Sequence, residues 1–134
     1  MNIINYTDYF HDGSIIDIQH VGDCVEISME SAEIEKGEMK EGIPLSKHNT
    51  IKGKLRLKGV KNIRENDKPV EKAKRNYDSA WILDLEVKEK EVELLVDWVN
   101  FPPKQDINEF SHLVIEAEAV SWENIPDLYD PLIE

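Results

Sequence analysis

Within six positions, Tyr9-Phe10-His11-Asp12-Gly13-Ser14, the chain gathers an imidazole, a carboxylate, a hydroxyl and two aromatic rings. These residue types carry out general acid–base and nucleophilic chemistry. A histidine oriented by a carboxylate can take a proton from a nucleophile or a water, provided the groups lie within hydrogen-bond reach. A small hydrolase or isomerase would use His11 and Asp12, with Ser14 close at hand. Two features oppose that use. Neighbouring residues of an extended chain point to opposite sides, and Ser14 lacks the flanking glycines of a nucleophile elbow. The competing reading is a structural corner, in which Asp12 caps a turn, Gly13 supplies permissive backbone and Phe10 plugs one end of a core. The sequence favours the corner.

No second reaction centre accompanies it. His11, His20, His48 and His112 are dispersed, and Cys24 has no Cys-x-x-Cys partner. No two histidines have the helical spacing of a zinc site. A grouping of His11, His20 and Asp23 in space is the one arrangement left open. There is no glycine-rich phosphate loop and no dinucleotide fingerprint. Neither a metal nor a cofactor is therefore expected.

The elements that must position these residues alternate with a period of two, as strands with one buried face do. Ser14 to His20 opens the series, and Val21-Gly22-Asp23 has the chemistry of a tight turn. Val25, Ile27 and Met29 then fall on one face, with Glu26, Ser28 and Glu30 on the other. Residues 33–49 lose the alternation and read as a long connection. From Thr50 the period returns, with Ile51, Gly53, Leu55 and Leu57 against Lys52, Lys54, Arg56 and Lys58. Gly59 is placed to bend or bulge this strand, and residues 65–69 form the next turn.

Val70 to Asn76 reads as a brief helical segment around Ala73. Leu83, Leu85 and Val87 form one further inward face, and Val92, Leu94, Val96 and Trp98 another. Pro102-Pro103 interrupts any regular element. Leu113, Ile115, Ala117 and Ala119 then resume the inward face. Trp122 either faces outward, as its parity gives, or packs under a terminal turn with Ile125 and Leu128, and the stretch 122–128 is expected to end in a single helical turn. The expected fold is mainly β: one antiparallel sandwich or partly open barrel of about six to seven strands, with one or two short helical segments.

At 134 residues the chain fits one domain, since domains typically run to about 100–150 residues. Residues 1–8 read as a lead-in and 129–134 as a frayed tail. One cysteine and no apolar leader point to the cytoplasm, and no apolar run is long enough to span a bilayer. The net charge is −12, which disfavours nucleic acid and anionic membranes as partners. The charge is banded: residues 1–46 carry ten acidic and two basic side chains, 47–76 three and eleven, and 77–134 fifteen and three. Pairing of the basic band with acidic strands inside a sheet is the preferred account of it. A local site for an anion or an acidic partner is the alternative.

Function is then expected to lie in binding rather than in chemistry. A protein partner of basic character would be steered by the acidic surface, with Glu26, Glu30, Glu91, Glu93 and Asp97 as contacts. Phe101, held ahead of two prolines, is the candidate apolar anchor. A small-ligand carrier with an apolar interior and a homodimer joined through an edge strand are the other binding modes considered.

Several stretches carry a resemblance. They are Tyr9-Phe10-His11-Asp12-Gly13-Ser14, Ser28-Met29-Glu30-Ser31-Ala32-Glu33-Ile34, Asp97 to Pro103, Ile115 to Glu118 and Trp122 to Pro126. Together they resemble a family of uncharacterised small bacterial β-rich proteins. The early Phe-His-Asp-Gly ahead of a hairpin is similar, more loosely, to immunity proteins of bacterial toxin systems. The resemblance implies a bacterial protein and, in its looser form, one that neutralises a basic toxin. It transfers no individual binding residue.

Overall fold

The computed structural model describes residues 3–35, 45–73, 79–99 and 109–126. Its strands are β1 (Ser14–Val21), β2 (Cys24–Glu30), β3 (Lys52–Glu65), β4 (Lys68–Val70), β5 (Ser79–Val87), β6 (Glu91–Val99) and β7 (Glu109–Asn124). They form one antiparallel sheet in the order β2-β1-β5-β6-β7-β3-β4, and β2 also pairs with β3. Six strands therefore close into a ring, with β4 appended. The seam between β1 and β5 is thin, a single residue pair, Ser14 with Trp81. The mainly β, antiparallel architecture expected from the alternation is present as one continuous, partly open sheet. Among the described residues no helix is long and apolar enough to cross a membrane.

The turns follow from the local chemistry. Gly22 sits at φ 62° between β1 and β2, while Asn66 and Asp67 at φ 53° and 65° join β3 to β4. Two successive positive φ values match the right-handed twist of a hairpin, and Asn and Asp tolerate them best after glycine. Inward side chains fill the ring. Ile27, Leu55, Leu57, Ile82, Val96 and Leu113 are wholly buried. The Trp98 indole donates at 2.7 Å to Ser111 Oγ within this core.

Three expectations need correction. The helical segment over 70–76 is absent where the structure describes it: Val70 ends β4, and residues 71–73 are irregular. Trp122–Asn124 belong to β7, and the helical turn expected at the end of 122–128 falls partly outside the described residues. The helix lies instead at Ile3–Phe10, a 3-10 helix within and beyond the expected lead-in, with Ile3 and Phe10 buried. Ile3, Tyr6 and Tyr9 recur every three residues, the repeat of such a helix, and the Tyr6 and Tyr9 rings stack at 6.4 Å.

The third correction concerns faces. Ala119 is exposed, and Trp122 packs against the core, edge-on to Phe10 at 5.6 Å. Gly59, at φ 64°, causes the exchange. There the Val60 amide donates to Asp23 O and the Ala117 amide to Lys90 O, so both amides point away from each other although the two residues stay paired, and the register shifts between Val60 and Asn62. The two strands kink together, and the face that is buried changes across the kink.

Candidate functional site

The Tyr9–Ser14 cluster turns the chain out of the 3-10 helix and laces the thin seam. Asp12 takes φ 66°, and the Gly13 amide donates to Phe10 O at 2.8 Å. Three bonds then cross to β5: Asp12 N to Ile82 O and Ile82 N to Gly13 O, both 2.8 Å, and His11 Nδ1 to Leu83 O at 2.5 Å. His11 Nε2 and Asp12 Oδ2 stand 3.8 Å apart, both well exposed. The left-handed turn at Asp12 brings them together despite their adjacency. Neither lines the cleft of about 670 Å³ that is bordered by Ile3, Ile4, Lys88, Glu118, Val120 and Trp122.

Two of the other histidines are separately engaged. His20 Nε2 bonds Ala73 O at 2.9 Å, and His112 Nε2 bonds Glu93 Oε1 at 2.6 Å. Among the described residues no three His, Cys, Asp or Glu side chains are placed to hold a metal.

The five candidate carboxylates divide between two strands. Glu26 and Glu30 lie on β2, whereas Glu91, Glu93 and Asp97 lie on β6, and two strands separate β2 from β6 in either direction round the ring. Most of the five are engaged. Glu26 meets Arg56 at 3.2 Å and Lys54 at 3.8 Å. Glu30 accepts from Thr50 Oγ1 at 2.6 Å. Glu91 pairs with Lys88 at 3.5 Å, and Glu93 with His112. Asp97 makes no ion pair or hydrogen bond among the described residues. Phe101 lies outside the described residues.

The basic band acts as pairing within the sheet predicts. β3 runs between acidic β2 and the acidic end of β7, with Arg56 opposite Glu26 and Lys54 opposite Glu123. Arg56 also bonds Glu123 at 3.0 Å. This bond holds the Glu123 carboxyl below its ordinary value and, with the bond to Glu26, raises the Arg56 guanidinium above its own.

What remains open is the outer face of β5–β6–β7. Trp81 stands opposite Asp97, and Asp97 opposite Phe110, so the three form one row across three strands. The rings are 52% and 50% exposed, unusual for large aromatics on a β surface and a mark of an interaction site when grouped. The turn after β3 steadies this row. Asn66 N donates to His112 O and His112 N to Asn66 Oδ1, each at 2.9 Å, and Asn66 Nδ2 reaches Phe110 O at 3.4 Å. The next row holds Asp84, Leu95 and His112, and the one beyond holds Glu86, Glu93 and Val114.

Trp81 and Phe110 were not among the sequence candidates. Phe110 continues the outward parity of β7 backwards from Leu113 and could have been found by extending that strand. Trp81 could not, because counting back from Val87 buries it. A bulge between Ile82 and Asp84 turns it outward.

The class these features define is an antiparallel β domain bearing an aromatic–acidic strip on one outer face. No protein-family model, no curated protein and no solved structure matches the chain.

Proposed function

We propose that the chain is a non-enzymatic protein-binding module that takes a basic partner on the outer face of β5–β6–β7. An immunity-type role, covering a basic toxin, is its concrete form, and the cytoplasm its place of action. The observation that carries the reading is the row Trp81–Asp97–Phe110, in which two half-exposed rings bracket a carboxylate with no partner of its own among the described residues. Aromatic anchors dominate interface energetics, each costing about 2 kcal/mol or more when truncated at a hot spot. The net charge of −12 adds long-range steering, which acts mainly on the association rate. Glu86 and Asp84 extend the negative surface beside the row, whereas Glu26 and Glu30 are engaged within the sheet.

The test is co-expression with the product of the adjacent gene, followed by calorimetry of the purified pair. We expect a defined complex whose association slows with added salt. Trp81→Ala with Phe110→Ala should weaken it by about 1,000-fold, from two losses of about 2 kcal/mol. A complex indifferent both to salt and to the double variant would sink the reading, as would the absence of any complex.

A further inference from the structure

The chemistry that the aromatic row would recognise can be specified further, on the reading that this face is the binding face. We propose that the row receives one arginine side chain of the partner, its guanidinium entering between the Trp81 and Phe110 rings and pairing with Asp97. Neighbouring strands are about 4.8 Å apart, which sets the backbones of Trp81 and Phe110 roughly 10 Å apart with Asp97 midway. A planar cation held between two rings needs them roughly 7 Å apart, two contacts of about 3.5 Å. Side chains leaning inward by an ångström or two from each outer strand meet that spacing. Among the described residues neither ring stacks on another aromatic, the ring pairs being Tyr6–Tyr9 and Phe10–Trp122. Both are open to an incoming group.

Charge selects the occupant. No Lys or Arg among the described residues pairs with Asp97, while Lys88 is held by Glu86 and Glu91, and His112 by Glu93. Asp97, with Asp84 one row away, therefore gives the row a local surplus of negative charge, the exposed Arg64 lying two rows off beyond Val114. A second copy of this chain would set Asp97 against a like surface, so self-association through this face is opposed. Geometry then selects arginine over lysine. A guanidinium is flat enough to lie against a ring face, is more weakly hydrated, and presents a fork of N–H donors to a carboxylate, whereas an ammonium is a compact and strongly hydrated point charge. The rings also exclude water from Asp97, which strengthens the ion pair formed between them.

The experiment is a titration followed by the indole N–H resonance of Trp81, assigned with Trp81→Phe. The probes are the N-acetyl methylamides of arginine, lysine and glutamine at equal ionic strength. Arginine should give a saturable shift in the millimolar range, with lysine about fivefold weaker or worse and glutamine silent. Asp97→Asn should weaken arginine binding by about fivefold or more, and Phe110→Leu should erase the preference for arginine over lysine. All three positions are on the outer surface, and an unchanged amide spectrum elsewhere verifies that each variant is folded. Equal shifts from arginine and lysine, no shift at all, or an arginine shift untouched by Asp97→Asn would each overturn the assignment. If the ring variants abolish binding of the adjacent-gene product while arginine leaves Trp81 unmoved, the face stands and only the arginine fails. If neither responds, both readings fail.

Discussion

Gly13, next to the seam, is packed tightly against the end of β2, and replacing it with alanine separates close packing from backbone conformation. A Cβ there would lie 2.4 Å from Glu30 O, 2.9 Å from Phe10 O and 3.1 Å from Ser31 Cα. All three are backbone atoms, so no flexible side chain can swing aside. Relief requires the Glu30 carbonyl to retreat by about 1 Å to reach ordinary contact. That carbonyl is anchored: the next amide, Ser31 N, donates to Ile51 O at 2.8 Å, and Ala32 N donates to Tyr9 O at 3.0 Å. Losing or stretching two such bonds costs about 1 kcal/mol each, and overpacking adds about 1–2 kcal/mol, for a total near 3–4 kcal/mol.

Gly22→Ala is the control. Nothing lies within 4 Å of its added Cβ, but its φ of +62° is left-handed, so it should cost only the conformational penalty of about 1–2 kcal/mol. Urea unfolding of both variants gives the comparison, read as midpoint shifts at an unchanged slope. Hydrogen exchange supplies a second readout, since the Asp12 and Ile82 amides should open faster in Gly13→Ala. A Gly13→Ala protein more stable than Gly22→Ala would refute the close approach and the lacing role derived from it.

Other perturbations follow from the same contacts. The Arg56 hydrogen bond holds the Glu123 carboxyl below its ordinary value of 4.5, so the folded chain binds fewer protons there than the unfolded chain. That contribution to stability is present above pH 4.5 and disappears as pH falls through the lowered value; Glu123→Gln should accordingly flatten the acid limb of a stability–pH curve. An unchanged limb would place the acid sensitivity in other carboxylates. The Trp122 indole nitrogen is buried without an acceptor, so Trp122→Phe, which keeps a ring against Phe10, should leave stability unchanged or raise it by up to about 1 kcal/mol. Trp98→Phe should instead cost about 1–3 kcal/mol, because it removes the core bond to Ser111 Oγ. Equal effects at the two tryptophans, measured by thermal unfolding, would contradict the difference in their hydrogen bonding.

The strands were legible because each has one wet face, and alternation survives wherever the ladder is regular. Val25–Met29 and Val92–Trp98 show this, each matching its expected inward set. Alternation fails where one residue is inserted or the ladder breaks. The bulge at Ile82/Asp84 and the kink at Gly59 shift the count by one, and a shift of one exchanges the faces. For that reason Trp81 is outside and Trp122 inside, the reverse of their parities. Gly59 was itself a visible warning, but no residue type marks the bulge in β5. The sequence pointed to an acidic strand face with Phe101 as its anchor, whereas the aromatic residues on the outer face of β5–β6–β7 are Trp81 and Phe110. The members of the site were not legible, because contacts across strands decide much of which carboxylates are engaged, as with Arg56 on Glu26, Thr50 on Glu30 and His112 on Glu93. Among the described residues the Asp97 side chain alone of the five has no partner, and nothing in its neighbours along the chain distinguishes it from Glu93.

The acidic surplus also differs in what opposes it on the two sides of the ring. On β2 and at the end of β7, carboxylates face Lys54 and Arg56 across the ladder. On β5–β6–β7 like charges stand opposite one another, Glu86 against Glu93 and Glu91 against Glu116. Such pairs destabilise a sheet. The chain moderates them locally, with Lys88 set near both Glu86 and Glu91, His112 on Glu93, and Asn62 donating to Glu116 at 2.9 Å. These contacts are exposed or only part-buried, where a single ion pair contributes little. A basic surface docked on this face would lower the remaining repulsion as well as form its own pairs. The carboxylates that weaken the free sheet would then strengthen the complex, and the rings of Trp81 and Phe110 would exclude the water that otherwise screens them.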